Sequence, residues 1–406
     1  MSTLTINWPD SIDEHTFLQQ YWQQKPLLIP QAFPLFDNPL DANELAGLAC
    51  DPDANSRFMQ RVQGDEWRMC GGPLSDDFFD DVTGHEWSLL VSDVEKLLPD
   101  FRAYLQPFRF LPDWRIDDLM ISYAPVGGSV GAHVDQYDVF LLQADGIREW
   151  QIENTPRVGH QPSVSSSISL LADFEADDTM RLTAGDMLYL PPGYAHHGIA
   201  VEESCMTWSI GFRAPSAEEM LPSILRYLCN SADDSMTARF ADVGRTATEQ
   251  PGHIDTQDIR ELRDMVREAL TVDDTQLDLC IGRFLTESID EELEARPAPA
   301  EWNEVSAQLN SGGILVCNSH IKFATIADEQ TDDAIDLKQP TTSTVKQTTV
   351  KLLVNGEAHD CSEHLGACLS NNRQCRESDI QTGQDKAMIV ELFNKQYLCI
   401  EDYNDH

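Results

Sequence analysis

The chain is poor in basic residues. It has 28 lysines and arginines against 69 aspartates and glutamates, a formal net charge of -41 over 406 residues. A field of this sign repels phosphate backbones and anionic lipid, so we expect no direct nucleic-acid partner and no membrane association. It attracts a basic protein partner. The alternative is that the acidity only aids solubility or reflects a salty habitat.

The sequence also lacks the signals of export and membrane insertion. The opening residues MSTLTINWPDSIDEHTF contain neither a basic stretch nor an apolar core. No run approaches the roughly 20 apolar residues that cross a bilayer. The ten cysteines form no CxxC pair, which favours reduced thiols. These absences predict a cytoplasmic location.

Histidines and cysteines cluster near the C-terminus, at His359, Cys361, His364, Cys368 and Cys375. Their spacings match no common zinc pattern. The cluster is therefore interpreted as ordinary buried or exposed thiols in preference to a zinc site.

The length of the chain predicts two or three domains. A helix is expected over 10–24, capped by Asp10 or Ser11, because apolar side chains there recur at helical spacing. From 118 to 212, short β-runs separated by Gly, Pro and Asp predict an antiparallel barrel or sandwich. Residues 144–146 are expected to form a hairpin turn between two of its strands.

The pattern becomes helical after residue 215, and one helix is expected to start at Asp255 or Thr256. The run PAPA at 297–300 predicts a linker. Beyond it, apolar runs predict a small α+β module with hairpins, interrupted by an acidic stretch over 327–348. These runs lie at 313–316, 348–354, 387–392 and 397–400.

Three residues have the spacing of a metal site. If His133 and Asp135 lie on a strand, both side chains point to one face, and a histidine from the run PPGYAHHG can complete the set. Two imidazoles and one carboxylate on one side of an octahedron leave three positions open, which suits ferrous iron and its use of dioxygen. Periodicity alone does not decide between His196 and His197 as the third ligand.

Arg148 is the second signal. Strand alternation places it on the same side as the apolar Trp150 and Ile152, where a guanidinium is costly unless an anion meets it. Either an internal salt bridge or a bidentate grip on a small carboxylate satisfies this requirement. In the second case a 2-oxo acid chelates iron while Arg148 holds its far carboxylate, which leaves one metal position for dioxygen.

The runs HVDQYDVFLLQADGIREW, DMLYLPPGYAHHG and SIGFRAP, together with FLQQYWQQKPLLIP near the N-terminus, resemble the JmjC-type cupin oxygenases. Within them the resemblance is to the bacterial ribosomal oxygenases, which hydroxylate an arginine of large-subunit ribosomal protein sixteen. It covers residues 8–215. It implies Fe(II), 2-oxoglutarate and dioxygen as cofactors, a basic ribosomal protein as substrate, and a homodimer.

Carried onto matching positions, the resemblance implies His133, Asp135 and His196 as iron ligands and Arg148 as the cosubstrate-binding arginine. Ser122 and Thr207 fall where family members place polar groups near the cosubstrate.

The resemblance also implies a mixed α and β architecture in three parts. These are a double-stranded β-helix catalytic domain with N-terminal helical and strand additions over 1–215, a helical dimerisation domain over 216–300 and a winged-helix-like α+β domain over 301–406.

A guanidinium substrate needs an acidic and aromatic lining, for which Tyr137 and Asp138 are the nearest candidates. Tyr137 shares strand parity with His133, and Asp138 is also compatible with a turn or an ion pair. Two other functions remain open: a 2-oxoglutarate oxygenase or demethylase of another protein or a small molecule, and a non-catalytic acidic scaffold with a vestigial cupin.

Overall fold

The computed structural model divides the chain into two compact units, residues 1–214 and 215–406. The structure describes residues 4–64, 66–159, 170–202, 204–230, 239–241, 243, 252, 254–288, 296–326 and 349–402. Within these ranges, no helix has the length and apolar character needed to cross a membrane. The acidic stretch predicted over 327–348 lies outside the described residues.

The first unit opens with a short helix that begins later than predicted. Helix α1 spans Glu14–Gln20 and is capped by Asp13, whose side chain accepts from the Thr16 amide at 2.7 Å. The predicted caps, Asp10 and Ser11, were wrong. Ser11 has a φ of 69°, so it lies in a turn before the helix.

Antiparallel strands form two sheets in the first unit. An eight-stranded sheet has the order β1-β10-β7-β12-β5-β4-β2-β3, and a four-stranded sheet has the order β6-β11-β8-β9. Their bounds are β1 Leu27–Ile29, β2 Asn55–Gln63, β3 Glu66–Gly71, β4 Trp87–Ser92, β5 Ile116–Ala124, β6 His133–Val134, β7 Asp138–Asp145, β8 Arg148–Ile152, β9 Asp178–Leu182, β10 Met187–Leu190, β11 Ala195–Ala200 and β12 Cys205–Phe212.

The remaining elements of this unit are helical. They are α2 Ala42–Leu48, α3 Val94–Leu97 and the 3₁₀ segments Phe78–Asp81, Pro99–Phe108 and Asp113–Arg115.

The predicted hairpin at residues 144–146 was wrong. The turn does join β7 to β8, but β7 pairs with β10 and β12, whereas β8 pairs with β9 and β11. The chain therefore crosses here from the eight-stranded sheet to the four-stranded one. Local turn chemistry predicted the reversal correctly, but the partner of each strand is a long-range choice.

Alternation along the strands separates two cores. In β7, Phe140 and Leu142 pack on an outer core with α1 and the N-terminal segments, whereas Val139 and Leu141 face Trp150 and other side chains of the second sheet. The two sheets thus face each other around an inner core, as predicted for a double-stranded β-helix. Their inner faces position the site described below.

The second unit contains the helices α4 Ala217–Asn230, α5 Thr256–Ala269, α6 Asp274–Thr286, α7 Trp302–Asn310, α8 Glu363–Ala367 and α9 Gly383–Asn394. Asp255 caps α5, as predicted, because its side chain accepts from the Gln257 amide at 2.7 Å. No residue of α5 is buried, whereas α4 and α6 share a small core around Ile224 and Cys280.

Two small antiparallel sheets follow, with the orders β17-β13-β18 and β14-β15-β16. Their strands are β13 Gly313–Cys317, β14 Phe323–Ile326, β15 Thr349–Val354, β16 Glu357–Ser362, β17 Gln374–Cys375 and β18 Leu398–Asp402. Asn355 and Gly356 close the β15–β16 hairpin. The apolar run at 387–392 is helical, because it lies within α9.

Candidate metal and cosubstrate site

The structure brings His133, Asp135 and His196 together. Their ligand atoms lie within 4.8 Å of one another, with Asp135 Oδ2 at 3.6 Å from His196 Nε2 and 3.9 Å from His133 Nε2. His133 in β6 pairs directly with His196 in β11, so both imidazoles project to one face. Asp135 follows the end of β6, and its carbonyl accepts from the Gly193 amide at 2.8 Å, which joins the two ligand-bearing segments.

Backbone contacts orient both imidazoles. His133 Nδ1 lies 3.0 Å from the Gly131 carbonyl and His196 Nδ1 lies 2.9 Å from the Tyr194 carbonyl. A carbonyl only accepts, so each Nδ1 carries the proton and each Nε2 lone pair is left for a metal. Gly131 has a φ of 86°, a conformation that glycine adopts without strain.

Burial keeps His196 neutral. It is 1% exposed, and burial, followed by the nearby His133, lowers its pKa to about 4. A neutral imidazole is the form that binds metals.

The neighbouring His197 does not join this group. It pairs with Gln151 of β8, and its ring packs edge-on against Phe174 with centroids 6.1 Å apart. Successive side chains of β11 point to opposite faces, so only one of the two histidines reaches Asp135. Strand register therefore distinguishes the two histidines that sequence periodicity left open.

Arg148 is buried on the inner face of β8, and two of its guanidinium nitrogens have no partner in the part of the chain that the structure describes. It is 3% exposed, and among the described residues nothing accepts a hydrogen bond from its Nε or Nη2. The nearby Trp150 Nε1 is also a buried donor without a partner there. The sequence left an internal salt bridge open for Arg148, and the described residues do not form one. The donors fit a bound anion.

Trp150 connects Arg148 to the metal-binding group. Its ring lies 5.7 Å from the Arg148 guanidinium carbon and 5.7 Å from the His196 ring centroid. Gly198 lies opposite Trp150, and a Cβ at Gly198 would be 2.7 Å from the indole. Glycine at 198 therefore makes room for the indole ring that lies near both Arg148 and the metal-binding group.

Ser122 and Thr207 lie opposite each other on β5 and β12, and both are buried. Ser122 Oγ donates to the Thr207 carbonyl at 3.3 Å, and Thr207 Oγ1 donates to Gln143 Oε1 at 3.0 Å. Trp208 packs in the outer core, so alternation turns Thr207 toward the inner face. These hydroxyls form a polar patch on the inner side of the eight-stranded sheet.

Tyr137 lies beside the metal-binding group, near a carboxyl group that sequence reasoning missed. Its hydroxyl interacts with Asp135, and burial of that hydroxyl followed by the Asp135 charge raises the pKa of Tyr137 well above its usual range. Asp118 and Tyr137 both lie next to Gly211. A Cβ at Gly211 would be 3.0 Å from Asp118 Oδ1 and 4.0 Å from the Tyr137 ring. Burial, then the Asp117 charge, raises the pKa of Asp118 to about 7.

Asp138 does not lie in the site. Its side chain is fully buried, and its carboxylate accepts from Tyr189 at 2.6 Å, Gln23 at 2.9 Å and Arg115 at 3.0 Å. Of the interpretations that the sequence left open, the ion pair is the one formed. A direct contact with substrate is not supported by this placement, because Asp138 and Tyr137 are on opposite faces.

Two residues of the site, Asp118 and Trp150, had a weak signal in the sequence. Asp118 has the strand parity of Ser122 on β5, so both belong to its inner face. Trp150 follows Arg148 by two residues on β8. Neither signal indicated that Trp150 lies beside His196 or that Asp118 lies near Tyr137.

The donor set fits a divalent transition metal, and the two Arg148 nitrogens that have no partner among the described residues fit a carboxylate. Fold and site together define a protein of the JmjC oxygenase class. In agreement, residues 103–220 match the model of the JmjC domain.

The ribosomal protein uL16 3-hydroxylase of Escherichia coli strain K12 is 35% identical to this chain, over 80% of the chain and 84% of that protein. A probable ribosomal oxygenase of Haemophilus influenzae is 34% identical over 59% of each chain. The Escherichia coli ribosomal oxygenase YcfD, solved with cobalt and 2-oxoglutarate, superposes with a TM-score of 0.74 at 28% identity, covering 98% of this chain and 99% of that one. The chain belongs to the ribosomal oxygenase family.

Proposed function

We propose that this protein is an Fe(II)- and 2-oxoglutarate-dependent oxygenase that hydroxylates an arginine side chain of a large-subunit ribosomal protein. One observation carries the proposal: two histidines and a carboxylate converge next to the Trp150 ring, and the same ring lies 5.7 Å from the guanidinium of the buried Arg148, two of whose donors have no partner among the described residues. His133, Asp135 and His196 would hold the iron. When bound, iron and 2-oxoglutarate supply the oxidation of an unactivated C–H bond by dioxygen.

The protein's part in this chemistry is to bind and orient. Arg148 would hold the far carboxylate of 2-oxoglutarate through Nε and Nη2, which have no hydrogen-bond partner among the described residues. Trp150 contacts both Arg148 and His196 and would hold the carboxylate-binding and metal-binding residues in place relative to each other. Ser122 and Thr207, on the inner face of the eight-stranded sheet, would offer their hydroxyls to the cosubstrate.

Charge supports arginine as the substrate side chain. Burial and the charges of Asp117, Asp93 and Glu95 destabilise the Asp118 anion, and a hydrogen bond with Ser92 offsets this only in part, because the pKa of Asp118 is still raised to about 7. A guanidinium placed between Asp118 and the Tyr137 ring supplies a compensating positive charge and offers a cation–π contact. We assign substrate binding to Tyr137 and Asp118 and keep Asp138 as an internal anchor.

The net charge of -41 supports a basic macromolecular substrate. The uL16 3-hydroxylase of Escherichia coli is named for such a protein. We place the enzyme in the cytoplasm because ribosomal proteins are assembled there. We expect no direct nucleic-acid partner and no membrane association, since phosphate groups and anionic lipids share the sign of its own charge.

We further propose that the helical domain predicted over 216–300 mediates a homodimer through an exposed apolar face of its helices. Ile259, Leu262, Val266 and Leu270 follow one face of α5 and its C-cap, and each is at least 36% exposed. Leu221 of α4 is 54% exposed. A second copy of this region would cover such a stripe. The winged-helix-like domain over 301–406 stays a prediction.

The dimer is tested by light scattering after size exclusion. We expect twice the chain mass for the wild type and the chain mass for Val266→Glu, with Glu268→Gln on the same helix as the control. A wild-type monomer at micromolar concentration contradicts the dimer and leaves the enzymatic proposal unaffected.

The activity is tested on ribosomal proteins from a strain that lacks this gene. The protein is loaded anaerobically with Fe(II), then given 2-oxoglutarate and dioxygen, while succinate and substrate mass are measured. We expect succinate in step with the gain of one oxygen on one arginine, and loss of both in His133→Ala. Loss of a methyl group, or turnover with small molecules alone, would instead indicate the demethylase or small-molecule oxygenase.

A further inference from the structure

A second group of metal-ligating side chains lies in the C-terminal module, far along the chain from the oxygenase site. His364, Cys368 and Asp379 place one ligand atom each within 4.8 Å of one another. His364 Nε2 lies 3.0 Å from Asp379 Oδ1 and 3.8 Å from Cys368 Sγ. The oxygenase function uses none of these residues.

Local structure aims the three side chains at one point. His364 lies in α8 and Cys368 one turn later, at the start of the π-helical segment Cys368–Asn372, so they share one helix face. Asp379 ends the 3₁₀ segment Glu377–Asp379. Its other oxygen, Oδ2, accepts from the Arg376 amide at 2.8 Å, which fixes the carboxylate while Oδ1 faces His364.

The distances fit a tetrahedral ion. Zinc bonds of about 2.0–2.1 Å to nitrogen and oxygen and about 2.3 Å to sulfur imply ligand separations of about 3.3 Å between nitrogen and oxygen and about 3.6 Å between nitrogen and sulfur. The observed separations of 3.0 and 3.8 Å are each within a small side-chain adjustment of those values. Cys368 is 8% exposed, whereas the His364 side chain is 54% exposed, so solvent reaches the fourth position.

We propose that His364, Cys368 and Asp379 bind a zinc-class divalent cation, with water as the fourth ligand, and that this ion fastens α8 to the 3₁₀ segment at Glu377–Asp379. A mixed set of nitrogen, sulfur and oxygen donors suits a borderline-soft ion. The sequence did not reveal the site, because zinc patterns are read from cysteines and histidines and the third ligand is an aspartate. His359 and Cys361, which belonged to the same sequence cluster, take no part.

Cobalt distinguishes this site from the oxygenase site. The oxygenase group contains no sulfur, so only a cysteine-containing site gives a thiolate-to-cobalt charge-transfer absorption in the near ultraviolet. The full-length protein is stripped with a chelator and titrated with Co²⁺. We expect this absorption in the wild type, its displacement by Zn²⁺, and its loss in Cys368→Ser. Because thiol loss can disturb folding, far-ultraviolet circular dichroism accompanies each variant.

Two further variants make the test decisive. His364→Ala changes a largely exposed side chain, and we expect it to weaken Co²⁺ binding at the thiolate site by at least the roughly 10–100-fold typical of an outer-shell loss. Cys399→Ser removes an exposed thiol outside the cluster and should leave the absorption unchanged. No charge-transfer absorption at saturating Co²⁺, or one that persists in Cys368→Ser, overturns the proposal.

Discussion

Replacing Arg148 with methionine should move stability and cosubstrate binding in opposite directions. Methionine is similar in length, is apolar and suits the inner core next to Trp150. If the role of Arg148 is to hold 2-oxoglutarate, replacing it removes the desolvation cost of a buried guanidinium from the ligand-free protein. The same replacement removes the hydrogen bonds that 2-oxoglutarate needs. A structural arginine behaves differently, because its loss then costs stability.

The magnitudes follow from the two Arg148 donors, Nε and Nη2, for which the described ranges contain no partner. A buried donor without a partner costs about 1–3 kcal/mol, so removing both should raise the free energy of unfolding by about 2 kcal/mol or more. Hydrogen bonds to charged groups contribute about 1.5–3 kcal/mol each. Losing two of them should therefore make the binding free energy of 2-oxoglutarate less favourable by at least about 3 kcal/mol. That corresponds to about a hundredfold in dissociation constant.

Calorimetric titration of 2-oxoglutarate into the anaerobic Fe(II) protein measures the affinity, and thermal unfolding of the metal-free protein measures stability. Arg181→Met is the matched control: Arg181 lies on the adjacent strand β9, its side chain is 67% exposed, and it pairs with Glu149. We expect this control to change neither quantity appreciably. An Arg148→Met protein that is less stable than the wild type, or that binds 2-oxoglutarate normally, would refute the reasoning.

Three further predictions concern the rest of the site. His196→Ala should reduce Fe(II) affinity and abolish succinate formation, whereas His197→Ala should retain Fe(II) binding. Metal analysis after dialysis measures the bound Fe(II). An equal loss of bound Fe(II) in the two variants would contradict the assignment of His196 as the ligand. Since the pKa of Asp118 is raised to about 7, its anion forms as pH rises through that value, so KM for the protein substrate should fall from pH 6 to pH 8. In Asp118→Asn this pH dependence should vanish and KM at pH 8 should rise about tenfold or more. The same substitution should raise the midpoint of thermal unfolding at pH 8 but leave it unchanged near pH 4, because ionisation of a group with a raised pKa costs stability. Gly198→Ala should lower the free energy of unfolding in urea by about 1–3 kcal/mol and weaken 2-oxoglutarate binding, because the new Cβ would lie 2.7 Å from Trp150. If the variant keeps the wild-type stability and affinity, the position of the indole is not critical.

Much of the candidate site was predictable because strands repeat every two residues. Alternation placed Arg148 with Trp150 and Ile152, and the structure has all three buried on one side of β8. The same rule favoured Tyr137 over Asp138 for the site, and Tyr137 is the residue that lies beside Asp135. These inferences needed only local geometry.

Predictions that depended on strand partners failed or stayed open. Residues 144–146 form a turn, yet the strands on either side belong to different sheets. The choice between His196 and His197 also rests on register, since only the pairing of His196 with His133 turns one ring toward Asp135. Strand partners are selected by packing over the whole domain, which no short window of sequence contains.

The sequence by itself determined the class of chemistry and predicted a positively charged partner, because donor types, net charge and strand periodicity are local or additive properties. Tertiary structure decided which groups meet. It gave two nitrogens of Arg148 no partner among the described residues, placed the indole of Trp150 near both Arg148 and His196, and brought Asp118 of β5 close to Tyr137, which precedes β7. It also added Asp379 to a histidine and a cysteine whose spacing alone indicated no metal. Such convergence depends on long-range contacts, and these exist only in the folded chain.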